Sequence, residues 1–275
     1  MTFNHAKQPR LLFMILALVI ALSLVACSPA GGEEMGSDIP EVAIDLTGSG
    51  VSVPADVPSG VVAFKVNGEG DPIPARLNDG VTLDQLNEAL GQPDPFAALG
   101  LVSLLGGSST TTDGRLIVDL QPGQHVVVNF PDDGPPSVSP FTAGDSSGAT
   151  APTADVNVDL VDFNFAIPSE ISAGPKVWQI NNKGQQWHEL AIVKLTEGTT
   201  IDDVMAMLAS EEATDGPPPF EPVAFWSPNG PGETGWVTWD LAPGEYTVIC
   251  FLPDLAGDMS PHAAHGMVAN LTVTE

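Results

Sequence analysis

The chain has 275 residues, with 35 Asp and Glu against 8 Lys and Arg, for a formal net charge of -27. A surface this acidic repels nucleic acid and anionic headgroups, which argues against both as ligands, and it suits cationic partners or a high-salt or acidic setting that reduces the self-repulsion. Gly 28 and Pro 26, beside a charge-poor, valine-rich remainder, predict turn-rich β structure with room for one large or two small domains.

The N-terminus predicts export. Lys7 and Arg10 form a short basic region, no acidic residue precedes Cys27, and the apolar run Leu11 to Val25 is too short for a comfortable bilayer span. The run ends in Leu24-Val25-Ala26-Cys27, which resembles a bacterial lipobox. That resemblance implies a signal peptide over 1–26, a lipid on Cys27 and a flexible tether over 27–40. It implies an extracytoplasmic protein held to a cell-envelope membrane by its N-terminal lipid. Removing Lys7 and Arg10 with the leader takes the net charge from -27 to -29.

The rest of the chain contains an internal repeat. Val42-Ala43-Ile44-Asp45-Leu46 matches Val156-Asn157-Val158-Asp159-Leu160, and the register holds without gaps to Phe64-Lys65-Val66-Asn67 and Trp178-Gln179-Ile180-Asn181. It resumes at Leu77 and Leu195, and again at Asp119-Leu120-Gln121-Pro122-Gly123 and Asp240-Leu241-Ala242-Pro243-Gly244. Two domains are therefore expected, 41–142 and 155–275, joined by a Ser/Gly/Thr/Pro-rich linker over 143–154.

Each copy reads as a β-sandwich with a short helical insertion. Period-2 alternation marks strands in Val156 to Phe165, Lys176 to Ile180 and Gly244 to Cys250. Thr82 to Leu90 and Thr200 to Leu208 read as matching helices. Thr200 suits the cap, and Ile201, Val204, Met205 and Leu208 share one face that packs on the sheet. Pro217 to Pro222 reads as a loop.

The repeat is an internal control, because positions needed for the fold persist in both copies. His188, Cys250, His262, His265 and Met267 lie only in the second. In the aligned first copy Asn129 stands where the second has Cys250, Gly70 where it has His188, and His125 where it has Tyr246.

The second copy resembles a cupredoxin, the plastocyanin and azurin type of blue copper domain. Asn182-Lys183-Gly184 followed by His188 is similar to the strand carrying that family's first histidine ligand. Leu241-Ala242-Pro243-Gly244-Glu245-Tyr246, then Cys250, is similar to the strand leading to the copper cysteine. The spacing of His262 to Met267 matches the second histidine and axial methionine of the plastocyanin type. The resemblance implies an all-β fold of two Greek-key sandwiches, the first without ligands. It implies one copper ion in the second, held by His188, Cys250, His262 and, weakly, Met267.

The residue types fit that chemistry: two imidazoles and a thiolate make a trigonal site, and a thioether completes a set that suits both Cu(I) and Cu(II). With Cys27 acylated, Cys250 is the single free thiol, and metal ligation is one reason to keep an unpaired cysteine outside the cytoplasm. His265, Met259 and Glu189 are candidates for supporting or alternative metal contacts. The eleven residues 251–261 between Cys250 and His262 exceed the span usual in small blue copper proteins, and Glu189 stands where the family often has Asn.

Three functions are compatible with this pattern: an electron carrier with a cationic redox partner, a copper carrier using the Met259/His262/His265/Met267 loop, and a metal-free binding or structural protein. Catalysis has the least support. No His-x-His pair exists for a trinuclear copper cluster, a single free cysteine excludes a binuclear copper centre, and no phosphate-binding glycine pattern or nucleophile elbow occurs.

Overall fold

The computed structural model describes residues 38–275 apart from 48–49, 69, 71, 93–97, 99, 108–114, 131–135 and 210–216. The signal peptide, Cys27 and nearly all of the tether lie outside the described residues. Among the described residues no helix is long and apolar enough to cross a membrane.

The first copy runs β1 (Glu41–Thr47), β2 (Gly50–Ser52), β3 (Asp56–Asn67), β4 (Ile73–Leu77), α1 (Leu83–Leu90), β5 (Val102–Leu104), β6 (Arg115–Leu120), β7 (Gly123–Asn129) and β8 (Ser137–Ser146). The second runs β9 (Val156–Val161), β10 (Asn164–Ala166), β11 (Glu170–Ser172), β12 (Gly174–Asn182), β13 (His188–Leu195), α2 (Ile201–Ala209), β14 (Phe220–Asn229), β15 (Thr234–Leu241), β16 (Gly244–Ile249), a 3-10 turn (His262–His265) and β17 (Val268–Thr274). The all-β expectation holds, and the chain passes between facing sheets at β12–β13, β14–β15 and β15–β16, the crossings of a Greek-key sandwich.

The duplication extends to register. β1 and β3 pair in parallel with Val42 opposite Phe64, and β9 and β12 pair in parallel with Val156 opposite Trp178. Gly60 pairs with Leu120 in the first copy, and Gly174 with Leu241 in the second. Alternation explains the strands: Val156, Val158 and Leu160 are buried while Asn157 between them is exposed. Both insertions are capped helices. Thr82 and Gln85 form a reciprocal capping box, and Thr200 Oγ1 accepts from Asp203 N–H while Asp203 Oδ2 accepts from Thr200 N–H. Ile201, Val204, Met205, Met207 and Leu208 of α2 pack in one cluster with Ile249 and Phe251.

Three local expectations need correction. The Val156–Phe165 run is not one strand: it breaks at Asp162-Phe163, where Phe163 takes φ 61°, and β10 folds back on β9. Phe220 to Pro222 belong to β14 rather than to a loop. The 143–154 segment is not a free linker. β8 pairs through Ser146, Ser147 Oγ donates to Val61 O, and Ala149 and Ala151 pack on a cluster of Ile39, Val61, Ala63 and Ile117 that Trp236 of the second copy joins.

The copies share structure. β15 pairs with β6 through Gly235–Val118 and Trp236–Ile117, which fuses strands of both copies into one 12-stranded sheet. The facing sheet of the second copy has five strands in the order β11-β17-β16-β13-β14. One core cluster spans both copies, from Val42 and Phe64 to Trp178, Trp226 and Trp239. Gly106 and Gly235 permit this, since a Cβ at either would overlap the Trp226 indole. The candidate ligands lie where β13 begins, where β16 ends and just before β17 begins.

Candidate metal centre

β13 opens on His188 and β16 delivers Cys250 from the adjacent strand, both with 0% exposure. The 3-10 turn brings in His262, which is 1% exposed. His188 Nδ1 lies 3.2 Å from His262 Nδ1, and Cys250 Sγ lies 3.5 Å from His262 Nδ1. All three donor atoms fall within 4.8 Å of one another. A first-row ion with bonds of about 2.0 Å to nitrogen and about 2.3 Å to sulfur spans such separations at angles of about 105–110°.

The surrounding groups aim these atoms inward. Asp162, in the turn between β9 and β10, has Oδ1 3.0 Å from His188 Nε2. Its carboxylate also accepts the backbone N–H groups of Gln185 and Gln186. Partial burial works to raise the Asp162 carboxyl, but the bonds from His188, Gln185 and Gln186 outweigh it and hold the group below its ordinary value. An ionised Asp162 takes the Nε2 proton of His188 in a hydrogen bond, which leaves the Nδ1 lone pair facing His262 and Cys250. Gly184 permits this approach, since a methyl there would overlap Asp162 Oδ1 and lie 2.6 Å from His188 Nε2.

Burial sets the protonation states. Burial lowers His188 against the opposing pull of Asp162, and burial followed by the neighbouring His188 lowers His262 to about 4. Burial and the Glu189 charge push the Cys250 thiol well up, opposed by hydrogen bonds from the Glu189 and Leu252 backbone. Without metal the site is therefore two neutral imidazoles and a thiol, and a metal that binds must displace the thiol proton.

Met267 is fully buried in the same core cluster as Cys250, its carbonyl accepts from Cys250 N–H at 3.2 Å, and its N–H donates to His262 O at 3.0 Å. Glu189 is buried, and its Oε1 accepts from Phe251 N–H at 2.9 Å, so it ties β13 to the residue after Cys250. Burial raises its carboxyl to about 7 against that hydrogen bond.

The long 251–261 segment is a closed hairpin. His262 N–H donates to Leu252 O at 2.7 Å, Asp254 N–H to Ser260 O at 2.8 Å, and Pro253 bridges Pro261.

His265 and Met259 do not join the buried donors. Met259 is 45% exposed, and His265 Nε2 lies 3.0 Å from Asp258 Oδ1 at the surface. The Met259/His262/His265/Met267 set is therefore split between core and surface, because the 3-10 turn buries His262 and projects His265 outward.

Sequence reasoning missed Asp162 and Phe163. The Phe163 ring lies edge-on to His262 at 5.3 Å and against His265 at 4.8 Å, and so covers the histidine side of the site. The signal was available, since the ungapped repeat aligns Asp162-Phe163 with Gly48-Ser49.

No protein-family model matches the chain, and no curated protein does. Similar solved structures include a reduced auracyanin from Roseiflexus castenholzii, at 22% identity and TM-score 0.32, covering 43% of this chain and 95% of that one. Auracyanin A, a "blue" copper protein of Chloroflexus aurantiacus, has 21% identity and TM-score 0.29, covering 43% of this chain and 99% of its own. A copper-containing nitrite reductase from Thermus scotoductus SA-01 has 13% identity and TM-score 0.26, covering 87% of this chain and 69% of that one.

Proposed function

We propose that the chain is a lipid-anchored, extracytoplasmic electron carrier that binds one copper ion at His188, Cys250 and His262, with Met267 as the weak axial donor. The convergence of two imidazole Nδ1 atoms and one thiol sulfur in a buried pocket, 3.2 and 3.5 Å apart, carries this reading. A soft thiolate with two imidazoles is the donor set that suits copper in both oxidation states, and copper bound there supplies one-electron chemistry. The residues of the chain exclude water, fix the donors and accept the thiol proton's replacement by a cation. Donors this deeply buried favour outer-sphere electron exchange.

The acidic surface suits a redox partner with a cationic face. The lipobox-like sequence at Cys27 supports the anchor. Adding Cu(II) to purified mature protein should give an intense visible sulfur-to-copper band that is lost in Cys250→Ser. A colourless protein without bound copper overturns the site. In bacteria, Cys27→Ala should abolish labelling by a radioactive fatty acid and release the protein from membranes. Retained labelling overturns the anchor.

A further inference from the structure

The first copy carries none of the candidate donors yet contacts residues around His188 at three points. Trp187, the residue before His188, packs on the first copy's cluster of Leu77, Leu104, Val126 and Val128. Asn229, the β14 partner of His188, forms a bridge with Leu105, and the next residue, Gly230, donates its N–H to Leu104 O at 2.8 Å.

The third point is an ion pair that is buried at its Glu233 end. Glu233, 3% exposed, accepts at Oε1 from Ser103 Oγ at 2.9 Å and lies 3.2 Å from an Arg76 guanidinium nitrogen. Arg76 stands on β4 and Ser103 on β5.

The hydrogen bonds continue from Glu233 to the ligand. Glu233 O accepts from Asn182 N–H at 3.0 Å and from Asn229 Nδ2 at 3.4 Å. Asn182 Nδ2 donates to Asn229 O and to Gln186 O, and its Oδ1 accepts from Gly184 N–H. Gly184 and Gln186 belong to the loop that bears His188 and holds Asp162. The path is short: β4 and β5, then Glu233, then Asn182, then the 183–187 loop.

Two physical terms make the contact matter. A carboxylate as buried as Glu233 is costly without partners, and Arg76 and Ser103 of the first copy supply them. Trp187 is half-buried against the first copy's core, so loss of that packing would expose the loop next to His188 to water.

We propose that the ligand-free copy is a positioning element of the metal centre, fixing the His188 loop through Trp187 and Glu233. This rests on the reading of His188 as a metal donor. It assigns the first domain a role beyond spacing the site from the membrane.

The test uses the full mature chain as Trp187→Ala, Trp187→Phe, Glu233→Gln and, as a control for general loss of core packing in the first copy, Ile44→Ala. In metal-free protein the His188 ring NMR signals should move in Trp187→Ala and Glu233→Gln, stay in Ile44→Ala, and return toward wild type in Trp187→Phe. In copper-loaded protein the first two should bind Cu(II) about 10–100-fold more weakly, the range for residues that orient a ligand, with an altered copper hyperfine splitting. Unmoved His188 signals, or equal changes in Ile44→Ala, overturn the proposal. If the wild type binds no copper, the copper reading fails while the metal-free signals still decide the positioning role.

Discussion

His188 Nδ1 and His262 Nδ1 face each other at 3.2 Å in a buried pocket, and neither ring is readily protonated there. With His188 Nε2 bonded to Asp162, the His188 Nδ1 lone pair faces His262 Nδ1, and a shared proton or a cation completes the pair. Asp162 is what keeps His188 in this tautomer. Asp162→Ala should weaken Cu(II) binding by about 10–100-fold, the usual cost of losing a carboxylate behind a ligating histidine. A competition titration against a chelator of known affinity measures it, and Asp162→Glu should retain more affinity than Asp162→Ala. Affinity within twofold of wild type in Asp162→Ala would show that the carboxylate does not orient the ring.

Gly184 is not a positive-φ glycine, so its requirement comes from space. A methyl group there meets both members of the His188–Asp162 bond. Gly184→Ala should therefore displace that bond and lower copper affinity by about 10-fold or more, while unfolding stability falls by about 1–3 kcal/mol, the usual cost of overpacking. Gly198 is the control, since a Cβ there meets nothing within 4 Å. Its φ of +83° makes Gly198→Asn the suitable substitution, and that variant should keep wild-type copper affinity.

Much of this was legible in the sequence because duplication writes the fold twice. Val42 to Asn67 and Val156 to Asn181 align without gaps, and the same partners face each other in both parallel pairs. The buried donors were legible because His188, Cys250 and His262 have no counterparts in the first copy. What escaped was set by tertiary contact. Asp162 and Phe163 sit in a turn that unbroken alternation hides, and Phe163 needs a positive φ that a phenylalanine gives no reason to expect. The fusion of the two copies depends on Gly106 and Gly235 making room for Trp226, and a glycine in sequence does not name the ring that will lie against it. The split of His262 from His265 follows from the four-residue 3-10 turn that begins on one and ends on the other, which no hydrophobic period announces.

His125 occupies the first-copy position of Tyr246, fully buried and stacked on Phe141 at 5.1 Å. Burial lowers it to about 4, opposed by its bond to Gly123 O and aided by the Arg76 charge. With the folded value below the ordinary 6.5, the unfolded chain binds the proton more readily between them. The contribution to stability is therefore full above pH 6.5 and is lost as pH falls toward 4, by roughly 3 kcal/mol at pH 4. Buried Glu189, raised to about 7, acts in the opposite direction as pH falls, so the comparison must be between variants. Denaturant unfolding of metal-free wild type and His125→Phe at pH 7 and pH 4 should show a smaller acid loss in the variant. Equal losses would mean that His125 is protonated in the folded state.

Arg76 and Glu233 join the two copies at a site where Glu233 has only 4% side-chain exposure. Burial raises the Glu233 carboxyl, and the bond from Ser103 and the charge of Arg76 only partly offset it. Arg76→Met leaves an unpaired buried carboxylate and should cost about 3–5 kcal/mol at neutral pH, the penalty for breaking rather than replacing such a pair. Because Glu233 already holds its proton more tightly when folded than when unfolded, acid relieves the penalty, and the gap between Arg76→Met and wild type should narrow as pH falls. Replacing both residues, as Arg76→Met with Glu233→Met, removes the desolvated charge and should recover most of the lost stability. Denaturant midpoints at two pH values for wild type, Arg76→Met, Glu233→Met and the double variant close the cycle. If the double variant is as unstable as Arg76→Met alone, the cost lies in lost packing between the copies and not in the stranded charge.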